Sequence, residues 1–314
     1  MASKSPSKVP NVFVLMAVYN GSEWLQTQVE SIVNQKGVNI KVFISIDLST
    51  DNSLEVSKDL ANCYKCISIL PYGERYGGAA KNFFRLIKDV NFDGCDYISF
   101  SDQDDIWFGS KLINAIEIIQ NRKIHAYSGD VTAIWPDGRQ MQVIKSQPQR
   151  RFDYIFESAG PGCTFVFKKD LAITFKHFLA KKPEANDFIL HDWLLYAFAR
   201  SQGFLWYIDP RSNMLYRQHA NNQVGVNNSF FSLWKRFSLS LNGSVGKYLN
   251  QLLELISYKS IDKLPPKMDL NAYLFFIRNW HNLRRRTRDR YFVLFALILM
   301  LVLYYPSKLV KNNK

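Results

Sequence analysis

Alternating strand-like and helix-like segments over residues 11–121 predict an α/β fold: a Rossmann-like, mostly parallel sheet flanked by helices. Three observations carry that prediction. Short, nearly continuous apolar runs recur, as buried parallel strands require, and amphipathic stretches separate most of them. Several runs end in polar clusters (YNG, DLSTD, SDQDD), at the carboxyl ends of strands where ligands of such sheets bind. The chain has 314 residues, 47% hydrophobic and 15% aromatic, enough to bury one sizeable core plus an appendage.

Residues 11–18 read as a first strand, buried on both faces. Tyr19-Asn20-Gly21 is a turn, and Ser22 stands where it could cap a helix over 23–35, with Leu25, Val29, Ile32 and Val33 along one side. A second strand over 42–46 ends in Asp47-Leu48-Ser49-Thr50-Asp51. A helix to residue 62 and a short strand near 67–70 follow. Arg75-Tyr76-Gly77-Gly78 is a loop before a helix over 79–90, whose Phe83, Ile87 and Val90 face inward. The run that starts at Tyr97 is the next strand, and a helix over 107–121 comes after it.

The second half is less regular. Strands are predicted over 124–128, up to 167 and over 204–208, with helices over 169–180 and 191–200. Trp135-Pro136-Asp137-Gly138 is a turn. A polar loop runs from Tyr216-Arg217-Gln218-His219 through Asn221-Asn222, and 233–256 is mostly helical, with Leu249, Leu252, Leu253 and Ile256 at core spacing. The expected organisation is a flexible N-terminus (1–10), an α/β domain (11–228) and a helical, basic and apolar C-terminal region (229–314).

The acidic cluster Asp102-Gln103-Asp104-Asp105 sits at the end of a buried strand. Three carboxylates so close repel one another unless a positive group joins them. Oxygen ligands suit magnesium or manganese, ions that keep positions open for a diphosphate. The alternative is a solvated acidic turn capping the helix that begins near Trp107.

Net charge is +13, which admits nucleic acid, an anionic membrane or anionic substrates as partners. From His281 onward there are eight Lys/Arg and one Asp, a net +7, flanking the apolar run 291–305. That arrangement favours membrane over nucleic acid, for which no binding motif is visible. Cys63 and Cys66 form a CxxC without the second pair or the His that a zinc site needs, so Cys63, Cys66, Cys95 and Cys163 read as ordinary thiols in a reducing compartment. The basic, Ser/Pro-rich N-terminus lacks a signal-peptide core, which predicts a cytoplasmic catalytic part.

Seven segments, in order, resemble the family 2 glycosyltransferases of the GT-A fold, and within them the bacterial rhamnosyltransferase-like branch. They are MAVYNG (16–21), SIDLSTDNS (45–53), RYGGAAKNF (75–83), SDQDDIW (101–107), GPGCTFVF (160–167), HDW (191–193) and YRQHANNQVG (216–225). The last three favour the rhamnosyl branch. The resemblance implies an inverting, metal-dependent transfer of a sugar, rhamnose from dTDP-rhamnose, to a hydroxyl of a glycan or polyprenyl-diphosphate-linked glycan in bacterial surface polysaccharide synthesis. It gives Mn2+ or Mg2+ to Asp104, with Asp102 near the ribose and the metal shell. His219 would complete the shell or donate to a phosphate, and Asp105 would orient the shell or cap the helix. Asp192 of HDW matches the general base, with His191 as a packing or orienting neighbour. Asp47 would accept the pyrimidine N3–H, although Ile46 and Leu48 replace the adjacent acid and the Gly that usually flank it. Tyr19, Asn20, Arg75, Asn82 and Arg217 would line the donor site, and Gly162, with Cys163 and Thr164, the sugar or acceptor groove. A UDP-hexose donor, or a non-catalytic, membrane-docked nucleotide-sugar-binding protein, are the other readings.

As a helix, 291–305 would reach roughly 22 Å, short of the ~30 Å hydrocarbon core. The expectation is an interfacial or re-entrant segment on the cytoplasmic face of the inner membrane, with a short transmembrane helix and a buried helix or dimer contact as alternatives.

Overall fold

The computed structural model describes residues 8–219, 244–258 and 260–311, the side chains of 244, 245 and 303–311 excepted. Most of the expected flexible N-terminus, Asn221, Asn222 and the first half of the predicted 233–256 helix lie outside the described residues. The chain forms two compact units: residues 1–145, 160–192 and 204–223, and residues 146–159, 193–203 and 224–314. Two earlier segments, 146–159 and 193–203, belong to the C-terminal unit.

In the first unit, β1 (Asn11–Val18), β2 (Asn39–Ile46), β3 (Ile67–Ile69) and β4 (Tyr97–Ser101) are mutually parallel, ordered β4-β1-β2-β3. Val12, Val14, Leu15 and Met16 are fully buried, as their unbroken apolar run requires. The sheet continues through β9 (Val166–Lys168), antiparallel to both β4 and β6 (Ala126–Gly129), and ends with β10 (Trp206–Asp209) parallel to β6. Helices α1 (Leu25–Val33), α2 (Ser53–Cys63), α3 (Ala79–Asp89), α4 (Lys111–Asn121) and α5 (Lys169–Lys181) alternate with these strands. Phe83, Phe84, Leu86 and Ile87 of α3 are buried.

A second sheet of four strands was not expected. It runs β5 (Ile106–Trp107), β11 (Met214–Arg217), β7 (Val131–Ile134), β8 (Gln140–Val143). Residues 216–217, predicted as loop, are strand because Met214 and Leu215 pair with Trp107 and Ile106 on one side while 215–217 pair with β7 on the other. Trp107 is strand for the same reason, so the following helix starts at Lys111. Ser22 does not cap α1. Its N–H donates to Asp51 Oδ2 (2.9 Å), and the Gly21 carbonyl accepts from Trp24 and Leu25.

The second unit contains α7 (Ser244–Ile256), α8 (Leu270–Arg278) and α9 (Thr287–Lys311). Buried Asp153 accepts from Tyr196 (3.0 Å), Arg200 (3.1 Å) and Arg285 (3.5 Å), and Arg285 also pairs with Glu157 (3.3 Å). Removing one partner from such a buried network costs more than the network stabilises, because the remaining charge is left uncompensated.

Candidate active site

The parallel register brings the carboxyl ends of β1, β2 and β4 side by side, so residues 19–21, 47–51 and 102–105 converge at one edge of the sheet. Gln103 fastens two of these ends. Its Oε1 accepts from the Tyr19 N–H (2.7 Å) and its Nε2 donates to the Tyr19 carbonyl (2.9 Å). This contact explains Gly21, where a Cβ would fall 2.3 Å from Gln103 Oε1. Asn20 shapes the same turn: it has φ 46°, a region open to Asn, and its Oδ1 accepts from the Thr50 N–H (2.8 Å). Tyr19 is half exposed, with its ring available to a ligand.

Asp47 is buried, and its carboxylate holds a loop. Oδ1 accepts from the N–H groups of Leu48 (2.9 Å) and Tyr76 (2.8 Å), and Oδ2 from Gly77 (2.9 Å). A carboxylate has about four acceptor positions, so one remains for a ligand donor. Arg75 is exposed on the loop so held. Asn82 is buried and donates to the Ser45 carbonyl (2.9 Å), which ties α3 to the end of β2.

The acidic cluster divides by depth. Asp104 Oδ2 lies 2.7 Å from His219 Nε2, and Trp24 stacks on the His219 ring at 4.2 Å with the planes 12° apart. Asp105 is buried and accepts from the Arg217 N–H (3.3 Å), while Arg217 Nε donates to the Asp104 carbonyl (2.9 Å). Asp105 is not a helix cap, because α4 begins six residues later with Ser110 before it. Burial, with Asp104 and Asp192 nearby, pushes the Asp102 carboxyl up to about 7. The same causes, with Asp104 and Asp102 as the neighbours, push Asp105 well above the usual carboxylate range.

Asp102, Asp105 and Cys163 offer ligand atoms within 4.8 Å of one another. Cys163 and Thr164 are buried, so they support the cluster from inside instead of lining an open groove. Lys111 lies beneath as well. Its buried ammonium sits 3.4 Å from the Trp107 ring centroid, and burial lowers it to about 7.

Asp192 occupies the first turn of α6 (His191–Ser201), close enough to Asp102 to raise it. Gly162 permits the approach, since a Cβ there would lie 3.2 Å from Asp192 Cβ and 2.6 Å from His191 Nε2. His191 stacks on Phe83 at 3.9 Å and burial lowers its imidazole to about 3. It packs against Phe83 and Phe100 beside Asp192.

Asp102 and Asp105 thus meet beside Cys163, and Asp104 meets His219 in a separate contact; carboxylate and imidazole donors of this kind fit manganese and, through the oxygens, magnesium. Burial, with Asp104 beside both, raises Asp102 and Asp105, a cost that a divalent cation would offset.

Comparison with known proteins bears on this constellation. Residues 13–175 match the model described as Glycosyl transferase family 2. The chain is 45% identical over 286 residues, 90% of its length and 99% of the relative's, to the dTDP-rhamnosyl transferase RfbG of Shigella flexneri. The chain belongs to the family 2 glycosyltransferases. Among solved structures, a mannosyltransferase from Pyrobaculum calidifontis, in complex with GDP-Man and Mn2+, superposes with a TM-score of 0.55 at 15% identity, covering 98% of this chain and 80% of that one. S. aureus TarS with UDP-GlcNAc gives 0.53 at 15% identity, over 87% and 84%. Both share the fold with this glycosyltransferase.

Trp24, Gln103 and Lys111 were absent from the expected site. Gln103 carried a signal, standing inside the acidic motif, and Gly21 was its counterpart. Trp24 had none, because its partner His219 comes from a distant segment, and Lys111 had none, because a lysine four residues after Trp107 gives no sign that it is buried.

Proposed function

We propose that this glycosyltransferase moves rhamnose from dTDP-rhamnose to a hydroxyl of a glycan or polyprenyl-diphosphate-linked glycan, with inversion, in the assembly of a bacterial surface polysaccharide. The observation that carries the reading is Asp192 next to the acidic cluster, in a chain 45% identical to a dTDP-rhamnosyl transferase over nearly that protein's whole length. Asp104, Asp102 and His219 would hold Mn2+ or Mg2+, which when bound offsets the charge that grows on the diphosphate leaving group.

The chain's own groups do the rest. Trp24 holds the His219 ring against Asp104, and Arg217 fastens the backbone of Asp104 to β11. Tyr19 and the remaining acceptor position of Asp47 face the base of the donor, with Asn20 and Asn82 shaping the walls and Arg75 near the loop's mouth. Asp192, at a helix N-terminus that favours its ionised form, takes the proton of the acceptor hydroxyl as the new bond forms on the face opposite the diphosphate. A lipid-linked acceptor puts the reaction at the cytoplasmic face of the inner membrane.

The test is a donor panel with purified protein. dTDP-rhamnose is expected to turn over, and activity confined to UDP-hexoses would remove the rhamnosyl assignment. Asp192→Asn is expected to abolish transfer while dTDP binds as before. Unchanged turnover would take the base role from Asp192.

A further inference from the structure

Asp192 stands in the first turn of α6, and the residues on either side of it in the chain are tied down. His191 before it stacks on Phe83 (3.9 Å) and meets Phe100 edge-on (5.4 Å). Trp193 after it donates its indole N–H to the Tyr154 carbonyl (2.8 Å). One turn further, Tyr196 is fully buried and its hydroxyl has every position filled. It donates to Asp153 Oδ1 (3.0 Å) and accepts from Arg200 (2.7 Å) and Gln149 (3.1 Å). Arg200 continues the series, donating to Asp153 Oδ1 (3.1 Å) and to the Arg150 carbonyl (3.1 Å).

Asp192, Tyr196 and Arg200 recur at every fourth position, so they form one stripe along the helix, and Trp193 borders it. Leu194, Leu195, Ala197, Phe198 and Ala199 are buried and supply the apolar contacts that keep α6 in place. Apolar burial is non-directional and leaves rotation and sliding of a helix weakly defined. Hydrogen bonds prefer set distances and angles, and here they run from one stripe to one short segment, residues 149–154. That segment is itself fixed, because Asp153 is fully buried and its Oδ2 accepts from the Arg150 N–H (3.2 Å) and from Arg285 (3.5 Å). Stability alone does not call for such a cluster, since well-packed hydrophobic residues often serve as well or better. A fully satisfied buried cluster adds rigidity and a single geometry.

We propose that Trp193 and Tyr196 are positioning residues for Asp192, holding α6 to residues 149–154 so that the carboxylate in its first turn stays within reach of the acceptor hydroxyl. They act through the helix, not on the substrate. A base must lie within hydrogen-bond reach of the proton it takes, and a displacement of about 1 Å can cost about 100-fold in rate. The proposal rests on Asp192 being the base, and the experiment separates the two.

Wild type is compared with Trp193→Phe, Tyr196→Phe and Asp192→Asn at a temperature where thermal melts show all four folded. Each aromatic variant keeps its ring and loses one polar group. Turnover is read as dTDP release from dTDP-rhamnose with Mn2+, water serving as acceptor, and dTDP affinity by calorimetric titration. Amide hydrogen exchange is read at Leu195 and Tyr196, whose N–H groups bond the His191 and Asp192 carbonyls in an α-helix. Trp193→Phe is expected to lower kcat about 2–12-fold, the equivalent of one hydrogen bond, and to quicken exchange at both amides by a similar factor. Tyr196→Phe, which removes a hydroxyl with three bonds, should lower kcat further. Donor KM and dTDP affinity should not change in either. A lower melting temperature with wild-type kcat and wild-type exchange would overturn the proposal, since the bonds would then only stabilise the fold. A raised donor KM at constant kcat would also sink it, by moving their effect to the donor site. Asp192→Asn that turns over like wild type removes the base, and this proposal with it. An inactive Asp192→Asn beside two fully active aromatic variants removes this proposal alone.

Discussion

Asp47→Asn separates two jobs that one carboxylate performs. In the folded chain Oδ1 accepts from Leu48 and Tyr76 and Oδ2 from Gly77, all between 2.8 and 2.9 Å. Asn can keep its oxygen toward Leu48 and Tyr76, but its NH2 then faces the Gly77 N–H, donor against donor. One charge-assisted bond of about 1.5–3 kcal/mol is lost, and two others fall to the neutral value of about 1 kcal/mol each. The loop bearing Arg75 should therefore detach from the end of β2 more readily by about 3 kcal/mol, roughly 150-fold in its opening equilibrium. Amide hydrogen exchange at Tyr76 and Gly77 in nucleotide-free protein reads that opening directly, and calorimetric titration with dTDP reads the affinity. Faster exchange at both amides together with weaker dTDP binding is expected. If dTDP affinity falls while both amides exchange at the wild-type rate, Asp47 serves the ligand alone and the clamp argument is wrong.

Gly21→Ala puts a Cβ 2.3 Å from Gln103 Oε1, so Gln103 must leave Tyr19 and both of their hydrogen bonds break. A loss of about 1–3 kcal/mol is expected in thermal or urea unfolding, and adding Gln103→Ala should cost almost nothing more, a coupling that a double-mutant cycle measures. Trp24→Ala removes the stack on His219, worth about 0.5–1.5 kcal/mol, and should weaken Mn2+ binding in the presence of dTDP about 2–12-fold; an unchanged affinity would separate Trp24 from the site. Asp102 has its folded pKa raised from 3.8 to about 7, so folding favours its protonated form. Its contribution to stability is fully present below about pH 3.8 and lost as pH rises through about 7. In EDTA, the stability of wild type relative to Asp102→Asn should therefore decline between pH 4 and 8, and Mn2+ should raise the melting temperature of wild type more at pH 8 than at pH 5. A flat difference would refute the electrostatic reading of the cluster.

Much of the parallel half was legible without coordinates, because its signals are local. The apolar run 12–16 can only be buried, Tyr19-Asn20-Gly21 can only turn, and α3 repeats its inward side chains at helical spacing. The convergence of residues 19–21, 47 and 102–105 followed from a general property of parallel sheets, that the carboxyl ends share one edge. Asp192, Asp104 and His219 came from matched motifs, whose order along the chain encodes a site that spacing alone does not.

The rest depended on contacts between distant segments. Strand β11 exists because Ile106–Trp107 and Val131–Ile134 lie on either side of it, and no periodicity in four residues announces that pairing. Residues 146–159 and 193–203 join the C-terminal unit through buried charges such as Asp153 with Arg200 and Arg285, partners 47 and 132 positions apart. The polar residues named for a ligand also acquired structural bonds in three dimensions: Asp47 to a loop, Asn20 to Thr50, Asn82 to Ser45. Residue types and motifs thus determined the sheet, the acidic edge and the family. Tertiary structure decided which carboxylates are buried and which neighbours shift them, because desolvation and Coulomb energy depend on distance through space, and sequence order records distance only along the chain.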